Sequence, residues 1–373
     1  MSRAWLAVGC AALLAACGPP GQRGSQPLPS SSPIATPSSS TEGSSSPTHS
    51  ALDFSCRLPV LIQGEPQYGW TGGFITFPDG SYHADSSGVI QQVGDGDVGT
   101  QAQPILTGHA GGTPFYDLAQ KRWLPVGPGL TSPDGSSYAY VVPGLPADEY
   151  FVEIFTVATG VNHYWKISPP QPGTGVGWQA GDYDGQYVYI VATQVDQPPE
   201  GVWRFDPSTG SFNQLLHTAA GHVLLVRGGV AWVGLDNPAD PSPPSPPKGT
   251  AFDTIDSINL STGAHTTWIY RKGQSAIFWG LDSSSHPMVM VTSPPDFASV
   301  LPVLLIDVPL GNGIAIPAGF LPQGTMEADN GRLWFGGPQG IYYWTRSSGF
   351  MKVYDFERDP SLQEVMVPAG HCV

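Results

Sequence analysis

The chain is poor in positive charge. Of its 373 residues only 15 are lysine or arginine, against 30 aspartates and glutamates, for a formal charge of −15. An acidic excess of that size repels phosphate backbones, which excludes nucleic acid as the expected partner. Long apolar runs are also lacking. The most extended, Ala4 to Ala16, has 13 residues, short of the about 20 that a helix needs to cross a bilayer. No stretch of useful length repeats apolar residues at helical spacing, and Asp359 to Val365 has room for one turn at most.

Familiar catalytic signatures are missing too. The nine histidines are scattered, with no HExxH and no pair at ligand spacing beside a carboxylate, so each reads as an ordinary surface or core residue. There is no GxSxG elbow. Ser245-Pro246-Pro247-Lys248 has the Ser-x-x-Lys spacing of penicillin-recognising enzymes. That chemistry needs both residues on one helical turn, which two prolines forbid. Gly94-Asp95-Gly96-Asp97-Val98-Gly99 and Asp182-Tyr183-Asp184-Gly185 alternate acids as calcium loops do, but neither carries the full oxygen set and distal glutamate of a strong site. Turn chemistry accounts for both. No catalytic residue, metal or cofactor is expected.

What is present begins at the N-terminus. Arg3 supplies a short positive segment, and Ala4 to Ala16 suits the apolar region of an export signal. The run ends in Leu14-Ala15-Ala16-Cys17-Gly18. This resembles the lipobox of bacterial lipoproteins, and the resemblance implies cleavage before Cys17 and diacylation of its thiol. The alternative is an ordinary signal with a chance cysteine. Cys10 follows Val8-Gly9, and an apolar run starting at Ala4 would be too short to serve it. Lipid contributes about 0.8 kcal/mol per buried methylene, so two or three chains anchor stably where one would not. The expected location is therefore extracytoplasmic, held by lipid to the cell membrane. Gly18 in place of aspartate implies the outer membrane in a two-membrane host.

With Cys10 removed and Cys17 acylated, Cys56 and Cys372 remain, near the two ends of the folded region. Outside the cytoplasm such a pair is free to oxidise to a disulfide, and two unpaired buried thiols are the alternative. Between signal and fold, 25 of the 33 residues from Gly18 to Ser50 are Gly, Pro, Ser or Thr. Such a segment cannot form a core and reads as a tether with a span of roughly 30 Å. The expected organisation is a signal over 1–16, a tether over 17–51 and a folded domain over 52–373.

Beyond the tether, short runs rich in β-branched and aromatic residues alternate with turn residues, as in Tyr138-Ala139-Tyr140-Val141-Val142 and Met288-Val289-Met290-Val291. A strand-turn-aromatic unit recurs. Ile154 to Gly160 is followed by Trp165, Trp203 to Gly210 by Phe212, Ile258 to Gly263 by Trp268, and Tyr342 to Gly349 by Phe350. Degenerate copies end at Lys121 before Trp123 and at Gly311. Glycine is expected to supply the positive φ of these hairpins. The spacing averages about 46 residues, the length of one four-stranded blade, so an all-β propeller of six blades is expected, with seven as the alternative. Thr131-Ser132-Pro133-Asp134-Gly135-Ser136-Ser137-Tyr138 and, in part, Phe77-Pro78-Asp79-Gly80-Ser81-Tyr82 resemble the Ser-Pro-Asp-Gly turns of TolB-type and related WD-like bacterial propellers. A proline-rich excursion, Asn237 to Pro247, interrupts the fourth unit and reads as a tolerated loop insertion.

The 11 tryptophans and 14 tyrosines serve blade packing first, although a sugar platform draws on the same residues. The functional expectation is a monomeric, non-catalytic module that binds protein, peptide or glycan on one propeller face. The alternative is a propeller enzyme, either a glycan lyase or hydrolase or a quinone-dependent dehydrogenase.

Overall fold

A computed structural model describes the chain from Leu52 to Val373, except residues 53, 64–69, 93–105, 109–112, 144–148, 169–175, 195–200, 219–220, 236–251, 273, 293–302, 317–325, 330, 338 and 357–363. The expected signal over 1–16, Cys17 and the expected tether over 17–51 lie outside the described residues. So do the acidic turn 94–99, the proline-rich segment 237–247 with Ser245 and Lys248, and most of 359–365.

Nearly all of the regular structure is antiparallel β. The strands are β1 (Cys56–Gln63), β2 (Trp70–Phe77), β3 (Ser81–Gln92), β4 (Leu106–Gly108), β5 (Phe115–Asp117), β6 (Arg122–Leu124), β7 (Ser137–Pro143), β8 (Tyr150–Thr156) and β9 (Val161–Ile167). Then follow β10 (Val176–Tyr183), β11 (Val188–Gln194), β12 (Gly201–Asp206), β13 (Ser211–His217), β14 (Gly221–Arg227), β15 (Val230–Leu235), β16 (Thr254–Asn259) and β17 (His265–Tyr270). The last are β18 (Ser275–Leu281), β19 (Pro287–Thr292), β20 (Val303–Leu305), β21 (Ile314–Ile316), β22 (Met326–Asp329), β23 (Arg332–Gly337), β24 (Gly340–Thr345), β25 (Gly349–Asp355) and β26 (Val365–Pro368). A 3-10 turn spans Pro128–Leu130.

The strands form up-and-down meanders: β10 to β13, β14 to β17, β18 to β21, β22 to β25, and the three-stranded β7 to β9. A single bridge, Gly337 opposite Met366, joins β23 to β26, so that β22 to β25 and the chain-end strands run as one nine-stranded sheet. Their side chains explain the order. Strand β23 is buried from Leu333 to Gly337, as an interior strand must be, whereas β9 exposes Val161 to Tyr164 at a sheet edge.

Face-to-face packing closes these sheets into a ring. Ala139, Val152 and Ile154 pack on Trp178, Ile190 and Phe205. Tyr189 and Val202 pack on Val226 and Val233, and Trp232 and Ile255 on Ala276 and Val289. Met288 and Leu305 meet Leu333 and Phe335, while Trp334 and Tyr343 meet Leu58, Val60 and Ile75 at the seam. The hairpin β5–β6 completes the circuit. Its Trp123 joins Leu61, Phe74 and Val367, and its Leu124 joins Tyr138 and Tyr140. Each such fully buried side chain contributes about 1.5–3 kcal/mol. Meander sheets packed face to face around a closed ring make a β-propeller.

The two chain ends meet in one sheet. Strand β26 pairs with β1, from Val60 opposite Pro368 to Gln63 opposite Val365, and β1 pairs with β2 along eight residues. The tail continues along β1, with Arg57 and Val373 exchanging backbone hydrogen bonds of 3.2 and 3.1 Å. A disulfide joins Cys56 to Cys372, with Cα atoms 5.4 Å apart across a separation of 316 residues.

The hairpin glycines behave as expected at Gly160, Gly210, Gly263 and Gly349, whose φ angles lie between +69° and +72°. The two degenerate copies differ. Strands β20 and β21 hold three residues each, so their connection is a longer loop in which Leu310 (φ 58°) and Gly313 (φ 78°), not Gly311, take the left-handed positions. At Lys121 (φ 51°) the hairpin β5–β6 is a two-stranded sheet of its own, wedged between its neighbours. A periodicity near that of the sequence returns as hydrogen bonds between successive sheets. Ser137 Oγ lies 3.2 Å from the Tyr183 hydroxyl, Gly228 N–H donates to Asp182 Oδ2 at 2.8 Å, and Gly331 N–H donates to Ser283 Oγ at 3.2 Å. Their sequence separations are 46, 46 and 48 residues.

Candidate functional site

A groove of about 1200 Å³ opens between the sheets β18 to β21 and β22 to β25, with Leu52 and Phe54 of the lead-in on its wall. Two guanidinium groups face it. Arg332 opens β23 directly after Gly331, whose φ of 78° turns the chain. Its Cζ stands 4.2 Å over the Phe54 ring, and Nη1 lies 3.9 Å from Asp329 Oδ2. Arg346 begins the turn after β24; its Nη2 donates to Asp307 Oδ2 at 3.0 Å, and the side chain is 58% exposed.

Hydroxyl groups and an aromatic wall complete the groove. Ser348 N–H donates to Thr345 Oγ1 at 2.9 Å, and the two side-chain oxygens lie 2.6 Å apart. On the opposite lip Asp282 organises the β18–β19 turn. Its Oδ1 accepts from the backbone N–H groups of Ser284 and His286 at 2.8 Å, and Oδ2 lies 3.1 Å from His286 Nδ1. Phe54 packs on Tyr343 with ring centres 5.7 Å apart. Planar donors beside hydroxyls and aromatic faces can hold a carboxylate while covering an apolar or sugar surface.

The acids of Asp182-Tyr183-Asp184-Gly185 are committed to two different tasks. Asp182 is buried at the end of β10, and burial pushes its carboxyl up to about 6, against the opposing pull of the Arg227 guanidinium and the Gly228 N–H. Asp184 instead folds its own turn, accepting from the N–H groups of Gln186 and Tyr187 and from the Tyr189 hydroxyl. In the Ser132-Pro133-Asp134-Gly135 turn, Ser136 N–H and the hydroxyls of Ser136 and Ser132 hold the Asp134 carboxyl down at about 2. These are turn contacts and contacts between neighbouring sheets. Sequence reasoning singled out the cysteines and the acidic turns and missed the groove. Its signal was two of the 15 cations, Arg332 and Arg346, flanking neighbouring strands.

No protein-family model matches the sequence, and no curated protein matches it. Among solved structures it is similar to an acylaminoacyl peptidase in complex with Z-Gly-Gly-Phe-chloromethyl ketone, at 11% identity and a TM-score of 0.42, over 81% of this chain and 46% of that one. It is also similar to an oligogalacturonate lyase in complex with manganese, at 12% and 0.44, over 80% and 75%. A third is the β-propeller domain of the Trilobed protease from Pyrococcus furiosus, at 10% and 0.40, over 82% and 84%. The chain spans about half the length of the peptidase.

Proposed function

We propose that this chain is an exported lipoprotein, anchored through Cys17, whose propeller binds a carboxylate-bearing peptide or glycan without transforming it. The observation that carries the binding role is the groove itself: Arg332 and Arg346, in a chain of net charge −15, set beside Phe54, Tyr343 and a hydroxyl rim. The lipidated Cys17 and the surface location rest on the lipobox resemblance and on the Ser/Pro-rich segment that follows it.

The propeller has six blades on this reading. Five are the meanders β7 to β9, β10 to β13, β14 to β17, β18 to β21 and β22 to β25. The sixth is the seam portion β26-β1-β2-β3, taken as a separate blade because only the bridge of Gly337 and Met366 joins it to the fifth. The hairpin β5–β6 is then an insert, and counting it as a degenerate blade gives the alternative of seven.

The test is a binding screen of the purified chain against cell-wall glycans and acidic peptides, followed by Arg332→Ala and Arg346→Ala. A charge-assisted hydrogen bond contributes about 1.5–3 kcal/mol, so each variant is expected to weaken a hit by about tenfold or more while melting as the parent does. Hits bound equally well by both variants would remove the groove from the function. Conversion of the ligand that survives purification and disappears on changing one groove residue would establish the enzyme reading instead.

A further inference from the structure

Four hairpin turns place glycine in the left-handed position, but the loop after β20 places Leu310 there, with φ of 58° and 61% of its surface exposed. A left-handed residue with a Cβ costs about 1–2 kcal/mol, and an exposed leucine recovers none of that in the core. Its neighbour Val308 is 59% exposed, and Pro309 between them is exposed as well. The loop is nevertheless fixed. Leu310 N–H donates to the Trp268 carbonyl at 2.9 Å, and Arg271 Nη2 donates to the Gly311 carbonyl at 3.1 Å. It thus lies along the end of β17, where Tyr270 is 45% exposed and Arg271 and Lys272 follow. Arg346 reaches the same loop through Asp307.

An apolar tip, a tyrosine beside it and a collar of cations are the ingredients of a segment that rests at a lipid interface. Charge argues for orientation as well: an acidic surface elsewhere on the domain is repelled by anionic headgroups at short range, while this collar is attracted. A second, independent observation is where the folded chain begins. Leu52 and Phe54 line the groove together with Arg346, and Arg346 is bonded to Asp307, the residue before Val308. The first described residues therefore lie on the wall of the groove that this loop's partner, Arg346, also lines.

We infer that the Val308-Pro309-Leu310 loop and its collar of Tyr270, Arg271 and Lys272 dock on an anionic lipid surface and hold the propeller in one orientation at the membrane. The membrane context rests on the lipoprotein reading, but the docking itself is tested without the anchor. The chain from Gly18 onward lacks the apolar signal and Cys17 yet keeps the whole ring and its disulfide. It is mixed with vesicles of phosphatidylcholine containing phosphatidylglycerol, and bound protein is measured by co-sedimentation over a salt series. The expected result is binding that weakens with salt and falls by about tenfold in a Val308→Ser, Leu310→Gly double variant. Leu310→Gly suits the left-handed backbone, so the variant's melting curve, unchanged or raised, separates lost docking from lost folding. No binding by the parent, or equal binding by the variant, overturns the proposal. Self-association of the parent that the variant abolishes, without vesicle binding, also overturns it and assigns the loop to contacts between copies.

Discussion

A Cys56→Ser chain is expected to melt about 5 °C or more below the parent, with the same loss for Cys372→Ser and no further loss in the double variant. The disulfide closes a loop of 316 residues, and the chain-entropy model gives about 5 kcal/mol for closures of that scale, an upper figure that structure in the unfolded chain reduces. The bond's position makes the loss consequential. Strand β26 meets β1 through four residue pairs, whereas β1 meets β2 through eight, so the C-terminal strand is the weakly paired member of the seam sheet. If it detaches, Val367 leaves Leu61, and Met366 leaves the cluster of Trp334 and Tyr343. Thermal melts of the oxidised single variants check this. Unchanged melting temperatures would show that the ring holds without the bond.

Gly340→Ala is expected to cost about 3 kcal/mol or more, with Gly201→Ala close behind. Both glycines open the third strand of a meander, at φ of +140° and +147°, where residues with a Cβ are strained. Space is lacking too. A Cβ at Gly340 would fall 1.9 Å from the Tyr354 carbonyl oxygen, and one at Gly201 would fall 1.9 Å from that of Leu216. Relief would require β25 or β13 to move away, breaking the ladder on the outer edge of its sheet. Gly263→Ala provides the comparison: its φ is +71° but nothing lies within 4 Å of the added carbon, so only the backbone term of about 1–2 kcal/mol applies. Urea unfolding of the three variants orders them. Equal stabilities would contradict the strand register.

The parts of the fold that were legible in the sequence are those specified locally. Turn glycines such as Gly210 are marked by Asp206, which accepts from Ser208 N–H, and by the aromatic that follows, so the hairpins announce themselves. The seam was legible in part because two cysteines, Cys56 and Cys372, stood near the ends of the domain. The hairpin at Lys121 has the repeat's spacing, but β5 and β6 pair only with each other among the described strands. At Gly311 the turn differs from the repeat because three-residue strands leave a longer connection, in which Leu310 takes the left-handed position. The groove was not legible at all. Phe54 and Arg332 are neighbours only because the ring closes, and no local pattern records a contact made across that distance in sequence.

On the proposed reading the propeller works outside the cytoplasm, held by lipid at Cys17. Mass spectrometry of the mature protein, purified from membranes of a bacterial host, tests it most directly. The expected N-terminal residue is Cys17, carrying a diacylglyceryl group on its thiol. A mature chain that begins elsewhere, or begins at an unmodified Cys17, would contradict it.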